Sequence, residues 1–259
     1  MKKQEAPGFD PHKETILRVR VGSRLHGTNV DDQDDEDQMG VYVPPPEYVI
    51  GLKRHDHHIV RTQPEGVRSG PGDLDLTLYS LKKYISLAAK GNPSILTMLF
   101  APPEHLLFST GLGRQLIKKR NIFLSREAGE RHLGYMMAQK ERFLGTRGGT
   151  HTNRPELIEK YGYDTKYAGH MIRLALQGTE LMNKGAITLP MPNQNREYIK
   201  LIRTGWHDKK SVEHEAEDLE EFLRKAIDDT DLPDKTDDVA VNALLVEMHE
   251  EYWDGKDHQ

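Results

Sequence analysis

The chain has 259 residues, of which 36% are hydrophobic and 30% charged, with a formal net charge of −5. This composition is typical of a globular protein, and no apolar run approaches the roughly 20 residues that a membrane-spanning helix needs. The absence of cysteine excludes disulfides, thiolate metal ligands and a cysteine nucleophile. Residues 1–11 are polar and lack the apolar stretch of a secretory signal, so we expect a cytoplasmic protein with no membrane partner.

Strand-like segments dominate the first third of the chain. Ile16–Val21 alternates apolar residues with arginine and runs directly into Gly22 and Ser23. Met39–Val43 is a second short strand, which a run of three prolines ends. Leu74–Leu78 is a third strand, in which the alternation places the one acidic side chain on the face opposite to the leucines.

The rest of the chain is predicted to be helical, because apolar residues recur at helical spacing between glycine and proline stops. The predicted helices are Ser80–Lys90, Ile95–Phe100, Arg126–Leu144, Thr165–Lys184, Ser211–Ile227 and Asp237–Tyr252. Strands followed by helices predict an α/β (α+β) fold with a small mixed sheet. We expect an α/β domain over residues 1–108 and a helical domain, with acidic C-terminal helices, over residues 109–259.

Charge is distributed unevenly between these parts. Residues 111–173 carry 13 Lys/Arg against 6 Asp/Glu, whereas residues 208–259 carry 6 against 18. The middle segment could therefore attract a polyanion, although ordinary solvated helix faces would give the same pattern. The acidic helices either shield a basic groove or mediate dimerisation, and the sequence does not choose between these roles or give the oligomeric state.

The most informative segment is Gly22–Val43, GSRLHGTNVDDQDDEDQMGVYV. Asp35 and Asp37 are one residue apart on an extended chain, so their carboxylates project to the same side. Asp75 lies on a separate strand that could pair alongside, and three carboxylates suit a hard divalent cation. Acidic runs are usually solvated loops, but this one follows a strand and a Gly-Ser bend. An EF-hand is excluded because Pro46 would occupy the position that requires glutamate.

The order of strand, Gly-Ser, spacer, acidic pair and strand resembles the signature of the polymerase-beta nucleotidyltransferase superfamily. More narrowly, the chain resembles the RlaP-type nucleotidyltransferases associated with RNA repair. Three further segments carry this narrower resemblance, which spans about Val19–Gly205: Asp75–Pro102, Tyr161–Leu174 and the stretch GAITLPMPNQNREYIKLIRTG at residues 185–205. Glu36, between the acidic pair, departs from the usual apolar or aromatic residue, and Asp31, Asp32 and Asp34 add negative charge.

The resemblance implies transfer of NMP from an NTP substrate to an acceptor hydroxyl, with an RNA end as one candidate acceptor. It implies that Gly22 and Ser23 bind nucleotide phosphate. It further implies that the three aspartates hold two Mg²⁺ ions, for which Mn²⁺ could substitute; they are Asp35, Asp37 and Asp75. Such ions clamp the attacking and leaving oxygens, and one of the carboxylates could also take the proton of the attacking hydroxyl.

Further residues have two interpretations each. Lys166, His170 and Arg173 share one helix face and could bind nucleotide phosphates or an RNA end, although His170 could instead pack internally. His55 and His57 could form a zinc pair, but a polar loop or edge strand is favoured because no third ligand lies nearby. The segment Arg147–His151 is basic and is interpreted as a connector between helices. Ser23 and His26 lack the G-x-S-x-G context of a hydrolase.

Two other functions remain open at this level. The same fold could bind nucleotide or RNA without catalysis, as a regulatory module, which the irregular acidic segment around Glu36 favours. NMP transfer onto a protein hydroxyl would use the same donor site, so the sequence does not exclude it. The base of the NTP and the acceptor are not named by the sequence.

Overall fold

Five strands form one mixed sheet in the computed structural model, which describes residues 8–30, 34–146 and 154–256. The strands are β1 (Thr15–Arg20), β2 (Glu36–Tyr42), β3 (His57–Arg61), β4 (Leu74–Ser80) and β5 (Leu106–Ser109). Their order in the sheet is β3-β4-β2-β1-β5. All neighbours are antiparallel except β2 and β4, which run parallel. This parallel pair in the middle of the sheet places the starts of β2 and β4 side by side.

Ten α-helices surround the sheet within the described residues. They are α1 (Gly22–His26), α2 (Leu81–Ala89), α3 (Pro93–Met98), α4 (Gly111–Lys118), α5 (Arg126–Leu144), α6 (Pro155–Tyr161), α7 (Thr165–Lys184), α8 (Asn193–Arg203), α9 (Lys209–Asp229) and α10 (Asp238–Lys256). No helix in this part of the chain is long and apolar enough to cross a membrane. The predicted fold class, a small mixed sheet followed by helices, is confirmed.

Helix α7 forms the centre of the helical half, because it packs against α5, α8 and α9. Asp164 caps its first turn by accepting hydrogen bonds from the amides of Lys166 (3.0 Å) and Tyr167 (3.2 Å). Gly185 ends it in the left-handed conformation. Its inner face is apolar and almost fully buried, so its register and the direction of its polar face are fixed by packing.

The sheet has two different faces. Alternate residues of β1 and β2 join a continuous apolar core that extends through α2, α5, α7 and α9. On the other face, Leu76 and Leu78 pack with Tyr42 in a smaller cluster, against which Phe9 lies. The predicted boundary between residues 108 and 109 falls within β5, and the main core continues across it. The division into two domains therefore stays a prediction.

The C-terminal helix returns to the sheet half of the molecule. Helix α10 packs against α2. The Tyr252 hydroxyl donates a hydrogen bond to the Glu14 carboxylate (2.8 Å), and the Trp253 indole donates to the carbonyl of Pro44 (3.1 Å). The acidic segment after residue 208 therefore packs on the body of the protein.

Several elements differ from the sequence predictions. The three predicted strands are present: β1 is shifted by one residue, and β2 and β4 are longer than predicted. Helices α5 and α7 begin and end as predicted. Strand β5 and helices α1, α4, α6 and α8 were not predicted. Strand β3 is the histidine-containing segment and lies at the edge of the sheet, as one interpretation held. Its exposed residues are Ile59 and Arg61.

Candidate active site

Parallel pairing of β2 and β4 brings the predicted carboxylates together. Asp37 and Asp75 are direct partners in the register and therefore project from the same face of the sheet. Asp35 lies one residue before β2. One oxygen from each of the three carboxylates lies within 4.8 Å of the others. No other group of three or more potential ligands occurs among the described residues.

Gly22 lies directly against this cluster. Its φ of +67° is in the left-handed region, and a Cβ at this position would lie 2.0 Å from Asp37 Oδ2. The amide of Val21 donates a hydrogen bond to the Asp37 carbonyl (2.9 Å), which fixes the end of β1 beside β2. Only glycine fits this bend, for both conformational and steric reasons. Gly22 and Ser23 line the same cleft as the three carboxylates.

Glu36, which departs from the family pattern, points away from the cluster. Strand alternation places it on the opposite face of the sheet from Asp37. There Arg20 contacts its carboxylate at 2.7 Å and Arg24 at 3.5 Å. Burial opposes ionisation of Glu36, but the hydrogen bonds from Arg20 and Gln38 outweigh it and lower the pKa. This charge therefore does not disturb the cluster. Asp31 and Asp32 lie outside the described residues.

Asp34 has a structural role that the sequence did not reveal. It is buried and accepts two hydrogen bonds from Arg203 of α8 (2.7 and 3.0 Å) and one from the amide of Val30 (3.0 Å). Lys166 lies 3.5 Å away. Burial raises the pKa of Asp34, but the hydrogen bonds and charge of Arg203 dominate and lower it to about 2. Asp34 thus joins the segment that precedes β2 to the helical half.

Burial, together with the negative charges of Asp35 and Asp75, raises the pKa of Asp37 to about 7. The usual value is about 3.9. The three carboxylates therefore repel one another, and nearby cations such as Arg61 and Lys166 offset this repulsion only in part. Such a cluster would gain from a bound divalent cation, because the cation removes the repulsion. The residues present thus fit a metal ion, and the identity of that ion stays a prediction.

This repulsion predicts a pH dependence of stability. Between about pH 4 and pH 7, the folded protein keeps a proton on Asp37 that the unfolded chain has released, so the free energy of unfolding falls as pH rises. We expect metal-free Asp37→Asn protein to be more stable than the wild type at pH 8 by roughly 2 kcal/mol, after allowance for solvent screening. Urea unfolding with chelator at pH 5 and pH 8 measures this; equal pH slopes for the two proteins would contradict it.

The carboxylates lie in a cleft of about 790 Å³ between the sheet and α7. Lys166, His170 and Arg173 line this cleft from one face of α7, as the sequence predicted. His170 is exposed to the cleft rather than packed internally. Desolvation inside the cleft, followed by the positive charges of Arg173 and the other nearby cations, lowers the pKa of His170. The imidazole is therefore neutral at pH 7.

Arg173 is held in place by two residues that the sequence analysis did not assign to it. Its Nη1 atom lies 3.0 Å from His26 Nε2 and donates to the side-chain carbonyl of Gln177 at 2.9 Å. Burial, followed by the charge of Arg173, lowers the pKa of His26 well below its usual value. His26 is therefore neutral and acts as a hydrogen-bonding support, which agrees with discounting a Ser23–His26 hydrolase pair.

The loop between β3 and β4 forms another wall of the cleft. It spans residues 62–73. Arg61 contacts one carboxylate oxygen of Asp75 at 2.8 Å, and the Ser69 hydroxyl donates to the other at 3.0 Å. Arg61 also donates to Ser69 Oγ (2.9 Å). The loop is thus tied to the third carboxylate of the cluster.

Several cleft residues were missed by the sequence analysis, and most of them are arginines. They are Arg61, Arg68, Ser69, Gln139, Arg142, Arg154 and Arg203. Two of the missed arginines fall within the basic middle segment, whose excess of charge was the only signal available.

The possible zinc pair of His55 and His57 has another role: buried His55 interacts with the Tyr42 hydroxyl at 2.6 Å. No metal group includes a histidine in the described part of the chain. Arg147–His151 lies outside the described residues.

Carboxylates gathered on neighbouring strands and facing cationic side chains are typical of metal-dependent phosphoryl and nucleotidyl transfer. The fold and the site therefore define a nucleotidyltransferase-like protein. The family model for RlaP, described as an RNA repair pathway DNA polymerase beta family, matches residues 2–247. The chain belongs to this family, which confirms the resemblance, and membership implies a nucleotide substrate.

Two individual proteins also show similarity. An uncharacterised 38.9 kDa protein of Enterobacteria phage T4, from the nrdC-mobD intergenic region, is 29% identical over 136 residues. The match covers 52% of this chain and only 40% of the phage protein. A nucleotidyltransferase-like protein of Exiguobacterium sibiricum is 14% identical, with a TM-score of 0.30, over 93% of this chain and 72% of that one.

Proposed function

We propose that the protein transfers NMP from an NTP to an acceptor hydroxyl in a Mg²⁺-dependent reaction. One observation carries this proposal: three carboxylates within 4.8 Å of one another share a cleft with a cationic face of α7. The carboxylates suit hard cations, and Lys166, His170 and Arg173 suit a triphosphate. Nucleotidyl transfer depends mainly on positioning and charge neutralisation, and the cleft offers groups for both.

The donor nucleotide would lie between the Gly-Ser bend and α7. Gly22 allows a phosphate to approach the backbone closely, and the Ser23 hydroxyl can donate to a phosphate oxygen. Arg173 is fixed by His26 and Gln177, so it loses little freedom when it binds an anion. These groups would hold the β- and γ-phosphates, which become the leaving pyrophosphate.

The reaction forms a bond between the acceptor oxygen and the α-phosphorus, and breaks the bond from the α-phosphorus to the β-phosphate oxygen. Pyrophosphate leaves with that oxygen. The proton of the acceptor hydroxyl passes to a carboxylate, either Asp75 or Asp37. Mg²⁺ held by the three aspartates would supply charge neutralisation for the attacking and leaving oxygens.

The observation that favoured a non-catalytic binding module no longer supports it. It was favoured by the irregular acidic segment, but Glu36 lies on the opposite face of the sheet and is neutralised by arginines. Transfer onto a protein hydroxyl is retained as an outcome of the experiment, because the donor side of the site would be the same.

The proposed function is tested by incubating the protein with each labelled NTP, Mg²⁺ and a mixed RNA pool. We expect label to appear on an acceptor with release of pyrophosphate, and chelation of divalent ions should abolish it. Calorimetric titration with NTP and Mg²⁺ runs in parallel. Tight nucleotide binding without label on any RNA or protein would contradict the proposal and favour a binding module.

A further inference from the structure

Two rows of cationic residues extend from the carboxylate cluster along the walls of the cleft. The first is the face of α7, which begins at Lys166 and ends at Arg173 beside His26. The second begins at Asp75 and follows the β3–β4 loop to the start of α6 and the end of α5. We call the three arginines of this second row, Arg68, Arg142 and Arg154, the mouth cluster. The first row is assigned to the donor triphosphate, and the second has no role in the proposed function.

The second row is continuous from the carboxylates outward. Asp75 accepts a hydrogen bond from Ser69 (3.0 Å), and the neighbouring Arg68 contacts Glu156 across the cleft at 2.6 Å. Glu156 lies in the first turn of α6, which Arg154 precedes. The Arg154 and Arg142 guanidinium groups lie 5.3 and 5.8 Å from the centre of the Tyr167 ring. A ligand that extends from Asp75 along this wall would meet one cation after another.

The charge of the mouth cluster is only partly neutralised by the protein. No carboxylate of the described residues lies within ion-pair distance of Arg142. Arg154 pairs with the buried Asp164 carboxylate at 3.2 Å, which offsets its charge, while 22% of its side chain stays exposed. The side chains of Arg68 and Glu156 are 49% and 55% exposed, so their ion pair is weak and easily exchanged for another anion. The cluster therefore has capacity for anionic ligands.

We propose that the mouth cluster binds the phosphodiester backbone of a nucleic-acid acceptor, whose terminal hydroxyl lies at Asp75. This inference rests on the proposed function, because it assigns the acceptor side of the same cleft. Arginine binds phosphate oxygens through paired N–H groups, and successive arginines match an acceptor with repeated anions. A protein acceptor offers a single hydroxyl without such a series. The NTP has one triphosphate, for which the α7 face already provides cations.

The test compares Arg142→Gln with wild type in transfer to a single-stranded RNA 12-mer and a DNA 12-mer. We expect KM for the oligonucleotide to rise roughly tenfold, with KM for NTP unchanged. The slope of log affinity against log salt should become shallower by about one. The matched control is Arg131→Gln, which removes the same charge from the same helix, α5. Arg131 pairs with Glu127 and does not line the cleft; this variant should behave as wild type.

The outcomes separate this inference from the proposed function. A rise in KM for NTP rather than for the oligonucleotide would place Arg142 in the donor site and overturn the inference. Efficient transfer to a protein, with no salt dependence, would overturn it too. If no label is transferred at all, fluorescence anisotropy of the labelled 12-mers still decides. Binding that Arg142→Gln weakens and Arg131→Gln does not would support the mouth cluster, and equal binding by both variants would overturn it.

Discussion

Replacement of Asp35 by asparagine is expected to lower the rate of nucleotidyl transfer by roughly 10³-fold while leaving the fold intact. Asp35 precedes β2 and its carboxylate belongs to the cluster of three. Asparagine keeps the shape of the side chain but removes one of the anionic ligands, and a cation clamp contributes several kcal/mol to transition-state stabilisation. Removal of one repelling charge should not destabilise the metal-free protein, because Asp35 raises the pKa of Asp37.

The matched control for this variant is Glu36→Gln. It removes the same charge one position away, but from the opposite face of the sheet, where Arg20 and Arg24 lie. We expect its transfer rate to stay within about threefold of wild type, because Glu36 does not touch the cleft. Radiolabel transfer at saturating NTP measures both variants, and circular dichroism checks the fold. If Asp35→Asn turned over NTP as fast as wild type, the assignment of the metal site would be wrong.

The second large effect concerns stability. Arg203→Met is expected to reduce the free energy of unfolding by roughly 3–5 kcal/mol, because it leaves a buried carboxylate without its main partner. The Arg203 and Asp34 side chains are only 9% and 7% exposed, and two hydrogen bonds join them. Lys166, at 3.5 Å from Asp34, can compensate only in part. Urea unfolding at pH 7 measures the change.

Two further variants decide whether the buried pair is the cause. Lys200→Met lies on the same helix, α8, but Lys200 pairs with Glu197 in a more exposed position, so we expect a loss below about 1 kcal/mol. Asp34→Asn combined with Arg203→Met should recover part of the lost stability, because it removes the uncompensated charge. A double variant as unstable as the sum of the two single variants would show that the pair does not act as a unit.

The carboxylate cluster could be predicted because its main determinants are local. Alternation along β2 decides that Asp37 projects to one face, and Glu36 to the other. The apolar spacing of α7 likewise predicts that Lys166, His170 and Arg173 share a face. The adjacency of Asp37 and Asp75 is not local, since it depends on parallel pairing across intervening chain. The residues indicated only that the strand of Asp75 could pair alongside, and the family resemblance then placed Asp75 in the metal site.

Other features of the site could not be read from the sequence. Arg203 lies at the end of α8, far along the chain from Asp34, and nothing in its spacing distinguishes it from a solvated arginine. Arg142 and Arg154 gave only a regional excess of charge. Strand β3 was given only as one of two interpretations of its segment, because five residues are too few to show a clear period-2 pattern. Helix α1 was missed because five residues are too short to show a helical period.

The return of α10 to the sheet has a consequence for how the molecule comes apart. Tyr252 and Trp253, near the end of the described chain, fasten to Glu14 and Pro44 near its beginning. The helical half therefore cannot unfold without also losing the contacts of α10 with the sheet half, because α10 packs against α2. We therefore expect heat or denaturant to unfold the described part of the chain in one cooperative transition, because α10 holds the two halves together.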